Sequence, residues 1–500
     1  MFGAKKSDVD YFASKSMSTV IDELISSASS SPNPPVNNYN NQRITDPDIA
    51  FGETWVNGPD NATLTGARLN SLRSWWIGQM LNQDRTIQEK MTLFWHNHFA
   101  TEMNVYRNPI HGYDHCKLLR DSALGNFKTL VKAVTLDPAM LIYLNGQRNN
   151  KRAADENYAR ELQELFTLGK GPDSQYTESD VQQAAKILTG YRIDRATLKS
   201  YFEPSLHDTG DKTFSSFYGG KVITGQTGTD GAKELDELLD MIFVQEEVSK
   251  HICRKLYRWF VYYEIDSAAE ENVIKPLATI FRANNYEIKP VLKALFSSEH
   301  FFDQVNRSCV IKSPTDHLIG FFRTTDIVFP DATNLETQYY YWLVIYQQMG
   351  IQQQAIGDPP NVAGWPAYYQ TPQYHELWIN SDTLPKRNQI TDIMVYFGLR
   401  RGDVQLAIDI LNFADSFNKP ESPGDLVNEW VEFFYPIAVG DSQKEDMKDL
   451  LTLTLADSYW TDAWNNYKAD PTDTTKANVV STRLKTLLKH IMNLAEFQLS

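Results

Sequence analysis

Five hundred residues carry 48 Lys plus Arg against 63 Asp plus Glu, a formal charge of −15. That balance argues against a nucleic-acid binder, whose affinity rests on a basic footprint facing phosphate, and against adsorption to anionic lipid. A 42% hydrophobic share excludes disorder for most of the chain, and the length suits about three domain-sized units or one large fold with insertions.

The longest apolar run, Tyr339 to Tyr346, has eight residues. A membrane-spanning helix needs ~20, so no transmembrane segment is expected. The start, Met1-Phe2-Gly3-Ala4-Lys5-Lys6, has no apolar stretch of the kind a secretion signal carries. Cys116, Cys253 and Cys309 form no Cys-x-x-Cys, which argues against a zinc ribbon or a thioredoxin-type pair. They read as small buried hydrophobes.

Helical periodicity dominates. Val9, Phe12 and Val20 to Leu24 belong to an opening helical region, and residues 29 to 64 read as irregular from their Ser, Pro, Asn, Gly and Thr content. Leu72, Trp75, Trp76 and Met80 then share one helix face. From Arg85 to about Thr101, Ile87, Met91, Phe94 and His98 fall at offsets 0, 4, 7 and 11, an apolar helical stripe. Residues 117 to 144 supply two more helical pieces. A helix with Asp155 as N-cap carries Tyr158, Leu162, Leu165 and Phe166 on its apolar face and stops at Gly169, as a left-handed cap would. Thr177 to Asp180 gives a capping-box start for the next helix, whose buried face is Val181, Ala184, Ala185 and Leu188. Residues 191 to 228 read as an aromatic, glycine-rich loop with one short hairpin. Helices return at 230 to 243, 246 to 263, 270 to 284 and 288 to 301, with Val248, Ile252, Leu256 and Phe260 at strict i+4 spacing. A second irregular stretch covers 353 to 385, and the rest is mostly helical. The expected fold is mainly α: a large multi-helix assembly with two long irregular insertions. In domain terms, a helical core over 1 to 400 carries a C-terminal helical region over 401 to 500.

Several strings occur in a telling order. They are Phe94-Trp95-His96-Asn97-His98-Phe99, the run from Glu156 to Gly169, Tyr176 to Val181, Leu188-Thr189-Gly190-Tyr191, His207 to Lys212, and Pro359 to Pro366. With these strings the chain resembles the bacterial "domain of unknown function 1800" family over nearly its whole length. Tyr191 stands where that family often has Trp. The resemblance implies an exported protein, periplasmic, cell-surface or secreted, with an envelope protein as partner. It implies no reaction.

The residues themselves offer candidate chemistry. His96 and His98 are the first metal ligands or general bases to consider. On a helix their side chains diverge by ~200°, so only one can face a given site. Glu156, Arg160 and Glu164 make an alternating-charge ladder, while Glu161 and Glu164, at i and i+3, share a face and could join a histidine on a neighbouring helix. The Glu-x-x-His of di-iron bundles is absent. His207-Asp208 sits in the first irregular stretch, as a base with its acid or as a loop-stabilising pair. Trp365 and Trp378 could line a sugar-stacking groove or plug the core. No phosphate loop, dinucleotide fingerprint, nucleophile elbow or His-Glu-x-x-His is present.

Two functions follow. In one, a pocket of His96 or His98, Glu161 or Glu164, and His207-Asp208 performs acid–base or divalent-metal-assisted chemistry on an extracytoplasmic polymer such as a polysaccharide. Arg160, Trp365 and Trp378 then grip the substrate. In the other, the same groups are buried networks that tie helices together in a non-catalytic envelope scaffold, or the aromatics make a glycan-binding module.

Overall fold

The computed structural model describes residues 1–27, 31–40 and 43–500. It is mainly helical, with three two-stranded antiparallel sheets among the described residues. Of the stretch expected to be irregular, residues 29, 30, 41 and 42 lie outside the described residues. Its tail is a short 3-10 turn, Ala62–Leu64, leading into the long helix Thr65–Leu81.

Two apolar cores organise the body. One gathers Leu72, Trp76, Phe322, Tyr341, Trp430 and Leu487 from helices that include Thr65–Leu81, Leu335–Ile351 and Thr474–Asn493. The other gathers Phe127, Phe166, Val181, Ile252 and Phe281 from helices between residues 127 and 296. The helix Gln88–His98 serves both: Leu93 enters the first core, and Met91, Phe94 and Trp95 enter the second. Every residue of this helix but Lys90 is buried. At roughly 25 cal/mol per Å² of apolar surface, its aromatics alone contribute several kcal/mol.

The helical expectations hold with local amendments. Asp155 is not the N-cap. The helix runs from Asn157, and Asp155 Oδ1 accepts the Asn157 N–H at 2.9 Å from two residues upstream. From Leu162 to Thr167 the winding widens to a π-helix, which no periodicity announced. Gly169 is left-handed, with φ +79°. Thr177 and Asp180 form the anticipated capping box: Asp180 N–H donates to Thr177 Oγ1, and Thr177 N–H to Asp180 Oδ2 at 2.7 Å. The 191 to 228 stretch holds two hairpins rather than one, Tyr191–Ile193 with Ser200–Phe202 and Lys212–Thr213 with Val222–Ile223. Leu399–Arg401 with Val404–Leu406 adds a third that the sequence did not suggest. Residues 353 to 385 stay irregular apart from 3-10 turns until a helix begins at Thr383. Cys116 and Cys253 are buried and Cys309 is half-buried. Among the described residues no helix is long and apolar enough to cross a membrane.

The capping box gives a direct stability test. Thr177→Ala removes the side-chain acceptor for the Asp180 N–H, and is expected to cost about 1 kcal/mol in urea unfolding.

Candidate functional site

The π-turn sets the geometry. Widening the helix over Leu162–Thr167 shifts its hydrogen bonds, and both Leu168 N–H and Gly169 N–H turn back to the Gln163 carbonyl. The Leu165 and Phe166 carbonyls then find partners from other helices. His98 Nε2 lies 3.1 Å from Phe166 O, and His251 Nε2 lies 3.1 Å from Leu165 O. A carbonyl only accepts, so each imidazole carries its proton on Nε2 and presents Nδ1 as a lone pair. The two rings sit 6.4 Å apart. Gly169 is required here for a second reason besides its positive φ: a Cβ would lie 2.5 Å from His251 Nδ1.

A cavity of about 320 Å³ opens beside this pair. Its floor is His98, Asn97 and Phe94 from one helix and Glu164 and Leu165 from the π-turn. Its far wall is His251, Lys255, Arg258 and Trp259 from the helix Glu246–Phe260, with Tyr368, Tyr369 and Ala363 closing over it. Gly364 lets that closing segment approach. Its N-terminal neighbour's turn packs so tightly that a Cβ on Gly364 would stand 2.3 Å from Asn97 Oδ1, the same atom that accepts the Trp365 N–H at 2.9 Å.

The lining is cationic in an acidic protein. Lys170, Lys255 and Arg258 face one carboxylate, Glu164, which pairs with Lys170 at 3.1 Å. Arg258 Nε donates to the Tyr263 carbonyl at 3.1 Å, and its guanidinium lies over Tyr374. Among the described residues Lys255 has no carboxylate or carbonyl partner. Burial, and then the Arg258 charge, push its amine down to about 8. Burial, with Lys255 next in effect, pushes His251 down to about 3 and His98 well below the usual histidine range. Both rings are therefore neutral at pH 7.

The other expected site residues lie elsewhere. His96 projects from the opposite side of its helix, as the ~200° separation requires. It packs on Trp76, His115 and Trp365 and accepts the Gly357 N–H on Nε2 at 3.0 Å. Trp365 is 2% exposed and Trp378 3%, so Trp365 is a core plug and not a stacking platform. Trp378 packs edge-on against Tyr368 and lines a smaller cavity of about 50 Å³ that shares Arg258, Trp259 and Tyr368 with the larger one. Arg160 pairs with Glu156 at 3.1 Å and with Glu178, and does not line the cavity. Nor does Glu161, a half-buried carboxyl pushed up by burial and by Glu164. His207 and Asp208 belong to a separate buried knot. His207 faces the Thr189 carbonyl at 3.0 Å through Nδ1 and Glu234 at 3.1 Å through Nε2, Lys212 reaches Glu234 at 2.6 Å, and Asp208 Oδ1 accepts the Gly210 N–H. Of the expected pocket, only His98 and Glu164 come together. Among the described residues, no group of three or more His, Cys, Asp and Glu side chains is arranged to hold a metal ion.

All four elements of the cavity come from strings that suggested one family, or from the helix that faces them. The family profile for a protein of unknown function, DUF1800, matches residues 1–499. The chain belongs to the DUF1800 family. No curated protein and no solved structure matches it. Within this DUF1800 chain the residues that sequence reasoning missed are His251, Lys255, Arg258 and Trp259. They fall at i, i+4, i+7 and i+8 on the face that flanks the Val248, Ile252 and Leu256 stripe. A basic face of this kind ordinarily meets solvent, which is why spacing alone hid it.

The His207 knot has its own pH signature. Burial pushes the Glu234 carboxyl up, but His207, Lys212 and the Gln226 N–H together hold it below its ordinary value of 4.5. Its contribution is therefore complete above pH 4.5 and is lost as pH falls through the folded-state value. Glu234→Gln is expected to cost about 3 kcal/mol at neutral pH, because it leaves two buried partners uncompensated. It should also flatten the acid limb of a stability-against-pH curve measured by urea titration.

Proposed function

We propose that the cavity between the π-turn and the Glu246–Phe260 helix binds the anionic group of a ring-bearing substrate and performs acid–base chemistry on it. The observation that carries this reading is Lys255, a half-buried amine on a cavity wall with no carboxylate paired to it among the described residues. An unpaired, partly desolvated cation destabilises the fold unless something offsets it, and an anionic ligand would. Lys170 and Arg258 reinforce the field, and Arg258 offers a planar fork suited to carboxylate, sulfate or phosphate. Trp259, Tyr368 and Tyr369 supply aromatic faces for a sugar ring. With its amine poised near neutrality, Lys255 suits general acid–base work at pH 7 to 8. The Nδ1 lone pair of His251 is a neutral acceptor beside it. The substrate class that fits is the acidic terminus of an extracytoplasmic polymer, such as a uronate or a sulfated or phosphorylated sugar. The extracytoplasmic setting rests on the family resemblance.

The second reading, a non-catalytic envelope subunit, is supported by the His207 knot, by His96 and by Arg160, each tied to protein groups. These motifs stabilise the helical body and can do so in an enzyme as well.

Lys255→Met tests the proposal, since methionine keeps the length and removes the charge. Without ligand the variant should be more stable than wild type by on the order of 1–3 kcal/mol at pH 7. The lysine's penalty is constant below its folded value of about 8 and fades as pH rises toward 10.5, so the two proteins should converge over that window. Titration of wild type with glucuronate, sulfate and phosphate should raise its melting temperature, by about 2.7 kcal/mol equivalent at a hundredfold excess over Kd. The variant should not respond. A variant that is less stable, or that responds to glucuronate, sulfate and phosphate like wild type, overturns the reading.

A further inference from the structure

Outside this cavity, the strongest anomaly is a fully enclosed polar cluster where the helices Pro314–Thr324 and Thr383–Tyr396 meet the C-terminal segment. His317, Gln352 and Arg387 are each at most 1% exposed. Among the described residues, Nε of Arg387 has no hydrogen-bond partner, and the His317 ring and the Gln352 amide have no well-formed hydrogen bond beyond the contact they make with each other. Buried polar groups are nearly always paired, so an under-satisfied set of this kind asks for an explanation. Charge sharpens the question. Arg387 donates to Gln498 Oε1 and to the Lys312 carbonyl at 2.7 Å. Lys312 Nζ donates to the Phe497 carbonyl at 2.7 Å. Every one of these acceptors is neutral. The nearest carboxylate acting on the two cations is Asp316, and it is held by Lys90 at 2.6 Å and Ser313 at 2.9 Å.

The under-satisfied set is rich in donors. Arg387 Nε–H can only donate, the Gln352 amide has two N–H groups, and His317 has at least one. The two cations supply a positive field that Asp316, itself held by Lys90, only partly opposes. Water would satisfy some of these atoms but none of the charge. We propose that the cluster is an anion site for a chloride-sized ion, held by Arg387 Nε, the Gln352 amide and His317 and neutralised against Arg387 and Lys312. Such an ion would join three helices to the C-terminal segment from inside.

Bromide substitutes for chloride and scatters anomalously, so wild-type crystals soaked in sodium bromide give the direct test. An anomalous peak in contact with Arg387 Nε and Gln352 Nε2 is expected. Ordered waters there without anomalous signal overturn the proposal. In solution, the melting temperature should rise and saturate with chloride or bromide relative to gluconate at equal ionic strength. Measuring this in Lys255→Met removes any response of the open cavity. Adding Gln352→Leu should abolish the shift. No halide response in Lys255→Met overturns the proposal, whatever becomes of the open cavity.

Discussion

Two carbonyl oxygens organise the site. Once the helix over Leu162–Thr167 widens, Leu165 and Phe166 carry backbone acceptors that other helices must satisfy. His98 and His251 do so from two different helices, and in doing so they lock each other's distance, ring orientation and tautomer. π-turns cost helical regularity and persist where something else compensates. Here the compensation is a pair of interhelical hydrogen bonds, and the cavity is the space left beside them. Lys255, one turn along from His251, is carried to the wall by the same helix.

That arrangement explains which of the residues singled out from sequence come together and which do not. The divergence of His96 and His98 follows from helical geometry alone, and the structure separates them as required. His98 lay on the apolar stripe and could be read as a core histidine or as a site histidine. Its ring is buried, and it lines the edge of the cavity. Glu164 was legible as part of a charge ladder, though its partner is Lys170, not Arg160. The basic face of residues 251 to 259 was not legible. A period of 3.6 says which residues share a face but not what that face meets, and only the fold shows that this one meets a π-turn. His207-Asp208 shows the same limit. Its string looks like chemistry, but its acid partner is Glu234, 27 residues on, and adjacency pointed to Asp208.

The helical class, the capping box at Thr177 and the left-handed stop at Gly169 were readable because each rests on local chemistry. The π-turn, the third hairpin and the plugging of Trp365 were not, because each depends on distant packing. Trp365 is fixed by Asn97 and His96, more than 250 residues earlier. Aromatic content marks such a segment as important without saying whether its rings face a ligand or the interior.

The helix Gln88–His98 places side chains in both apolar cores, and that shared membership bears on how the chain comes apart. A body with two cores would ordinarily divide into two independently melting halves. Here loss of either core strips one side of a helix that the other requires. Leu93 leaves its neighbours on one side as Phe94 and Trp95 leave theirs on the other. The helix acts as a common axle, so the two cores are expected to lose their packing together and not as separate halves.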